Sequence, residues 1–365
     1  MKVHGALQTA LPVLVVLFFA AFLPLQAQGE PQYDENLAVA FLNAAAAVYP
    51  ENDTLTETCL NKAFSKNGSD DFEVLSSVKG NCGKNPGDVC KSYIAVSHTH
   101  KVFIIAIRGT EGLTQFWDET KSGLSAAAPA TYVSNNPDVK AVGYFLTALP
   151  PLYEGLNIVD NLRNQNLNGQ DASAYNVYVT GHSLGGAMAA LMSKRIVFKG
   201  VRVRDQVKLI TFGEPRVGNY AFAQEIKQDV PYSFRVVHGD DPIPHLPPCG
   251  SHADILFTTC RHDGWYHHST EVWYTARHKA MNTGSQNYKV CRSSDGEDTS
   301  CSDGINALSR FFGDLGDHGT DMHLNYFNHF ISGYGKHGCV DVKGTASASV
   351  SVFLFLAAVL MVLTR

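Results

Sequence analysis

The chain has 365 residues, of which 45% are hydrophobic and 17% charged. That length and composition specify a globular protein with a sizeable core and exclude a disordered chain. The formal net charge is −5, from 29 Lys and Arg against 34 Asp and Glu; with no strongly basic segment, nucleic-acid binding has no electrostatic support.

In chain order, the first feature is an almost unbroken apolar run, Leu11 to Leu25, after a weakly positive start at Lys2. The run is short for a membrane span, and Ala27 before Gln28 is a suitable cleavage position, so residues 1–27 read as a signal peptide. Residues 28–340 read as one domain. Eight cysteines fit an oxidising compartment. Close spacing suggests the pairs Cys82–Cys90, Cys249–Cys260 and Cys291–Cys301, leaving Cys59 with Cys339 to tie the two ends together. Asn52-Asp-Thr54 and Asn67-Gly-Ser69 are glycosylation triplets.

The middle of the chain alternates strand-like and helix-like stretches, the pattern of an α/β domain on a largely parallel sheet. Ser92–Val96 and Val102–Ile107 are β-branched, apolar runs that read as neighbouring strands. Val177–Thr180, Val207–Phe212 and Phe234–Val237 are further strands, and Ala187–Val197 is a helix. Asn282–Asp303 is polar, carries two cysteines, and reads as a surface insertion.

Chemistry enters at Gly181-His-Ser183-Leu-Gly185, a G-x-S-x-G pattern between a strand and a helix. The pattern sets a serine on a sharp turn whose glycines let strand and helix approach, so that the hydroxyl stands exposed. The helix N-terminus aims its free N–H groups, that of Leu184 among them, at the place where an oxyanion forms. A serine hydroxyl needs a base, and the base needs a carboxylate; in this fold type they follow in the order Ser, Asp or Glu, His. Asp240 and Asp241 both close the strand Phe234–Val237 and enter a loop stiffened by Pro242 and Pro244. Chemistry alone does not choose between them, and an Asx-turn is the alternative for either. Late in the chain His318, His323 and His329 are the candidate bases.

Five ordered blocks make the pattern specific. They are Ile107-Arg-Gly-Thr110, Gly181-His-Ser-Leu-Gly-Gly186, Thr211-Phe-Gly-Glu-Pro-Arg-Val-Gly-Asn219, Val237-His-Gly-Asp-Asp241-Pro-Ile-Pro-His-Leu-Pro-Pro248 and His323-Leu-Asn-Tyr-Phe327. Over about Ala38 to Phe330 the chain resembles the class 3, fungal-lipase-like family of α/β-hydrolases. The resemblance implies an α/β-hydrolase fold, a mostly parallel central sheet flanked by helices, with a small lid. It points to Asp241 rather than Asp240 as the acid and to His323 rather than His318 or His329 as the base. The stretch between Trp273 and His323, with Cys291 and Cys301, is longer than the family pattern leads one to expect.

The resemblance further implies hydrolysis of lipid carboxylic esters at a lipid–water interface, through an acyl-enzyme on Ser183. The oxyanion would sit between the backbone N–H groups of Leu184 and Thr110, with the Thr110 hydroxyl as a third donor. Such a reaction needs no metal and no organic cofactor. His262, Asp263, His267 and His268 lie close together but lack a metal-ligand spacing. Leu113, Phe116 and Trp117 stand at i, i+3 and i+4, one helical face; in the resembling family this position holds the lid. The competing readings are a phospholipase A1 or feruloyl-type esterase on the same fold, and a lipid-binding surface protein without catalysis. The last requires a missing catalytic residue, and every role here has one. Residues 341–365 pass from small residues to an apolar run, Val352 to Leu363, that resembles a lipid-anchor attachment signal. The expected location is outside the cell, either free or held on the membrane's outer face by that tail.

Overall fold

In a computed structural model of the protein, the residues described are 29–65, 71–81, 89–109, 127–129, 134–164, 167, 169–249, 260, 262–276, 280–305 and 317–341; for 127–129 and 317–320 this covers the backbone alone. The folded unit begins at Tyr33. Among the described residues the strands are β1 (Glu73–Asn81), β2 (Val89–Ser97), β3 (Val102–Ile107), β4 (Ala127–Pro129), β5 (Lys140–Val142), β6 (Asn176–His182), β7 (Val207–Phe212), β8 (Gly218–Asn219), β9 (Tyr232–His238), β10 (Trp265–Tyr266), β11 (Glu271–Tyr274), β12 (Tyr288–Val290) and the short antiparallel pair β13 (Asn325–Tyr326) and β14 (His329–Phe330). Eight of them form the main sheet in the order β1-β2-β3-β6-β7-β9-β11-β12, and β10-β8-β5-β4 form a smaller one.

From β3 to β11 every neighbour in the main sheet is parallel, and the flanking pairs are antiparallel. The adjacent runs at 92–96 and 102–107 do pair, Ser92 opposite Ile107. Helices cover both faces. On one side lie α1 (Glu35–Ala46), α2 (Asp53–Phe64) and, late in the chain, α8 (Ile331–Lys336); on the other are α3 (Gly143–Gly155), α4 (Ile158–Arg163) and α5 (Leu184–Phe198). The remaining helices are α6 (Tyr220–Asp229) and α7 (Asp317–Leu324).

The two-sided cover explains the unbroken apolar sequence of β3. Its side chains alternate: Ile105 and Ile107 join Leu149, Val179 and Leu191 in one core, while Ile104 and Ala106 join Phe41, Ala45 and Phe212 in the other. Each such buried aliphatic side chain stabilises the fold by about 1.5–3 kcal/mol relative to exposure. Helix α1 starts where the Asp34 carboxylate accepts from the N–H groups of Asn36 and Leu37, at 2.9 and 3.2 Å. Its alanines let it lie close on β6 and β7.

The polar stretch 282–303 departs from the expectation of a surface insertion. Its strand β12 extends the main sheet by pairing with β11, and Glu297, Asp298 and Asp303 are buried. Disulfides Cys59–Cys339, Cys249–Cys260 and Cys291–Cys301 are formed; of the expected Cys82–Cys90 pair, Cys90 is buried and disulfide-bonded, and Cys82 lies outside the described residues. So do residues 1–27, expected to be a signal peptide, and the apolar tail. Among the described residues, no helix is long and apolar enough to cross a membrane.

Candidate active site

Parallel pairing brings the carboxyl ends of neighbouring strands to one edge of the sheet. His182, the last residue of β6, lies beside Phe212 of β7, which lies beside Val236 of β9. The loops that follow therefore leave side by side: Ser183 after β6, Gly213 after β7, and Gly239 to Asp241 after β9.

Ser183 occupies the junction of β6 and α5 with φ 58° and ψ −132°. A non-glycine residue held there stores about 1–3 kcal/mol of backbone strain. Two contacts hold it. Its N–H donates to the Phe212 carbonyl at 2.9 Å. Gly185, the second residue of α5, packs so tightly under β3 that a Cβ there would collide with the Ile107 carbonyl oxygen. The Leu184 N–H belongs to the first turn of α5, whose donors have no partner within the helix.

Asp241 and His323 meet across 82 residues of sequence. The His323 Nδ1 lies 3.0 and 2.9 Å from the two carboxylate oxygens of Asp241, and both residues are buried. Asp241 also accepts from the Ile243 N–H at 2.9 Å and from the Tyr326 hydroxyl at 2.5 Å. Burial alone would raise the Asp241 carboxyl; the neighbouring His323 and these hydrogen bonds outweigh it and hold the group below the ordinary carboxylate range. Burial, and then the same carboxylate, push the Tyr326 phenol well above its usual value, so the hydroxyl remains a donor.

The His323 ring also lies against His182, the residue just before Ser183, with centroids 4.5 Å apart. His182 Nε2 is 2.7 Å from the His323 carbonyl oxygen. A carbonyl only accepts, so this nitrogen carries a hydrogen. Burial, and then the proximity of His323, depress the His182 imidazole to about 3, which keeps it neutral near pH 7. Beneath the pair, Gly213 adopts φ 58°, and a Cβ on it would sit 2.9 Å from both Asp241 Oδ2 and His323 Nδ1. Only glycine leaves that space open.

The competing residues lie elsewhere. Asp240 is buried with its N–H on Met322 Sδ, at 3.2 Å. His329 bonds to Asp341 and stacks on Tyr334. His318 lies on α7. Of the clustered histidines, His262 stacks on Tyr220, His267 donates to the Pro244 carbonyl and His268 pairs with Glu214. Thr110, Leu113, Phe116 and Trp117 lie outside the described residues. Sequence reasoning passed over Tyr326, Gly213 and His182. All three stand inside the quoted motifs, but motif membership does not say which atom touches which.

A strained serine between a strand and a helix, at the carboxyl edge of a mostly parallel sheet and beside a buried His–Asp pair, defines an α/β-hydrolase. Residues 104–251 match the family described as Lipase (class 3), and a lipase of Caenorhabditis elegans is 34% identical over 330 residues, 85% of this chain and 84% of that protein. The chain belongs to the class 3 lipase family and is a lipase-type carboxylic-ester hydrolase. A secreted mono- and diacylglycerol lipase A of Penicillium camembertii is 26% identical over 278 residues, covering 74% of this chain and 81% of that one. Among solved structures, lipase II from Rhizopus niveus superposes with a TM-score of 0.62 at 20% identity, covering 85% and 99% of the two chains. A lipase from Rhizopus microsporus var. chinensis gives 0.60 at 22% identity, covering 83% and 91%.

Proposed function

We propose that this chain is a secreted serine lipase that hydrolyses acylglycerol esters through an acyl-enzyme on Ser183. The observation that carries the reading is the buried contact between His323 Nδ1 and Asp241, at 2.9 Å, packed against the strained turn that bears Ser183. His323 Nε2 takes the hydroxyl proton as Ser183 Oγ attacks the ester carbonyl. Asp241 keeps the Nδ1–H tautomer and stabilises the imidazolium; its lowered pKa leaves it ionised for that task. The backbone N–H groups of Leu184 and Thr110, with the Thr110 hydroxyl, stabilise the oxyanion, each donor contributing about 3 kcal/mol in the transition state. His323 returns the proton to the departing alcohol, and water then releases the fatty acid by the same steps.

Leu113, Phe116 and Trp117 form the apolar face of a lid that meets lipid when it opens. The printed names of the Penicillium relatives, secreted mono- and diacylglycerol lipases, support both the substrate class and the location. Residues 1–27 are the leader that directs export, and the tail 341–365 is the signal for a lipid anchor that would hold the enzyme at a membrane.

A fluorescent organophosphonate tests the nucleophile. The adduct is expected on the peptide containing Ser183, and Ser183→Ala is expected to abolish both labelling and tributyrin hydrolysis. An adduct on another serine, or full activity in the variant, rejects the assignment.

A further inference from the structure

The loop after Asp241 is held by an unusually complete set of bonds. Four consecutive carbonyls each have a partner. The Pro244 oxygen accepts from His267 Nε2 at 2.6 Å. The His245 and Pro247 oxygens both accept from Arg216 Nη1, at 2.7 and 3.1 Å, and the Leu246 oxygen accepts from the Arg216 backbone N–H at 2.7 Å. One buried arginine thus grips three residues of the turn that follows the acid.

Arg216 is itself held by the polar stretch 282–303. Its Nε and Nη2 donate to the two oxygens of Glu297, at 2.8 and 2.6 Å, in a two-pronged ion pair that is buried on both sides. Glu297 Oε1 also accepts from the His267 N–H at 2.8 Å, which sets the ring that holds Pro244. Asp303 lies 3.4 Å from Arg216 Nη2 and 3.0 Å from His245 Nδ1. Both carboxylates belong to the segment around the Cys291–Cys301 disulfide, which fixes where they stand. A planar guanidinium with five donors suits this work, because it can bind a carboxylate and two carbonyls at once.

We propose that Glu297 and Arg216 are positioning residues for Asp241, so that the disulfide-closed segment 291–301 serves the active site. The path is short and continuous. Glu297 orients Arg216, and Arg216 fixes the carbonyls of the turn Ile243–His245 and its exit. The turn presents the Ile243 N–H, and that N–H donates to Asp241 Oδ1 at 2.9 Å. The inference rests on the reading of Asp241 as the catalytic acid.

The test is a double-mutant cycle on a soluble short ester, with kcat expressed per active site titrated by organophosphonate, so that misfolded protein does not count. Glu297→Gln keeps the size of the side chain and removes its charge. It is expected to lower kcat about 10-fold with little change in KM, since loss of alignment by a fraction of an ångström reaches that size. In an Asp241→Asn background, Glu297→Gln is expected to lower kcat by less than about 2-fold, because residues acting through one group are not additive. An unchanged kcat per titrated site in Glu297→Gln overturns the proposal, as does an equal loss in both backgrounds. If Glu297→Gln does not fold, Asp303→Asn is put through the same cycle with the same two criteria. If Asp241→Asn alone keeps wild-type kcat, the assignment of the acid fails instead, which separates the two readings.

Discussion

At the scale of single residues, the site depends on groups that share one carboxylate. Asp241 has its pKa lowered by His323, Tyr326 and the Ile243 N–H against the cost of burial. A carboxyl with a depressed folded-state pKa contributes stability above its unfolded value and loses it as the pH falls through the folded one. Tyr326→Phe removes one charge-assisted hydrogen bond, and the expected loss at pH 7 is about 1.5–3 kcal/mol in urea unfolding. At a pH low enough to protonate the carboxyl despite its lowered pKa, the difference from wild type should shrink. An equal loss at both pH values would mean that the hydroxyl does not act on the carboxylate. Tyr326 stood in plain view within His323-Leu-Asn-Tyr-Phe327, yet spacing could not show that its hydroxyl reaches Asp241, 85 residues away. The resemblance favours His323 over His329, and the folded chain adds that His329 is engaged with Asp341 and Tyr334.

At the scale of elements, the strands with two covered faces were the most legible, because burial on both sides leaves an uninterrupted apolar run. Val207–Phe212 was bounded as the structure has it. Helix α5 begins at Leu184, three residues before the helix expected from Ala187. Glycines 185 and 186 argue against a helix by propensity, but Gly185 packs against the end of β3 and Gly186 against Gly181 of β6 and Thr211 of β7, where small residues are required. Helix α2 and the segment after α8 are joined by Cys59–Cys339, 280 residues apart. Closing so long a loop removes much of the unfolded chain's freedom. Replacing both cysteines by serine is expected to cost about 4–5 kcal/mol in denaturant unfolding. A loss under about 1 kcal/mol would show that packing alone secures the two ends.

At the scale of the whole molecule, charge is buried to an uncommon degree on the side of the sheet edge that carries β11 and β12. Glu271 and Glu297 are both pushed up to about 7. For Glu271, burial and the Asp303 charge outweigh the attraction of Arg235; for Glu297, burial and Asp303 outweigh Arg216. The sign is opposite to that of Asp241. A carboxyl whose folded pKa is raised binds protons more tightly in the folded state, so stability falls as the pH rises from about 4.5 to about 7. Urea unfolding at pH 5 and pH 8 is expected to show a less stable protein at pH 8, with a smaller difference in Glu297→Gln. A wild-type protein equally stable at both values would contradict the raised carboxyls.

What the amino-acid order determined by itself is whatever depends on near neighbours. Apolar alternation and its absence marked the strands, glycines at fixed offsets marked the turn at Ser183, and the succession of motifs marked the class of fold. What waited for the tertiary structure is whatever depends on sheet register. The parallel alignment of β6, β7 and β9 brings Gly213 under His323 and Asp241, and the stretch that pairs with β11 through β12 turns Glu297 inward onto Arg216. These contacts span tens to hundreds of residues, and side-chain pairing over such distances is decided by which strands lie next to each other rather than by any local pattern.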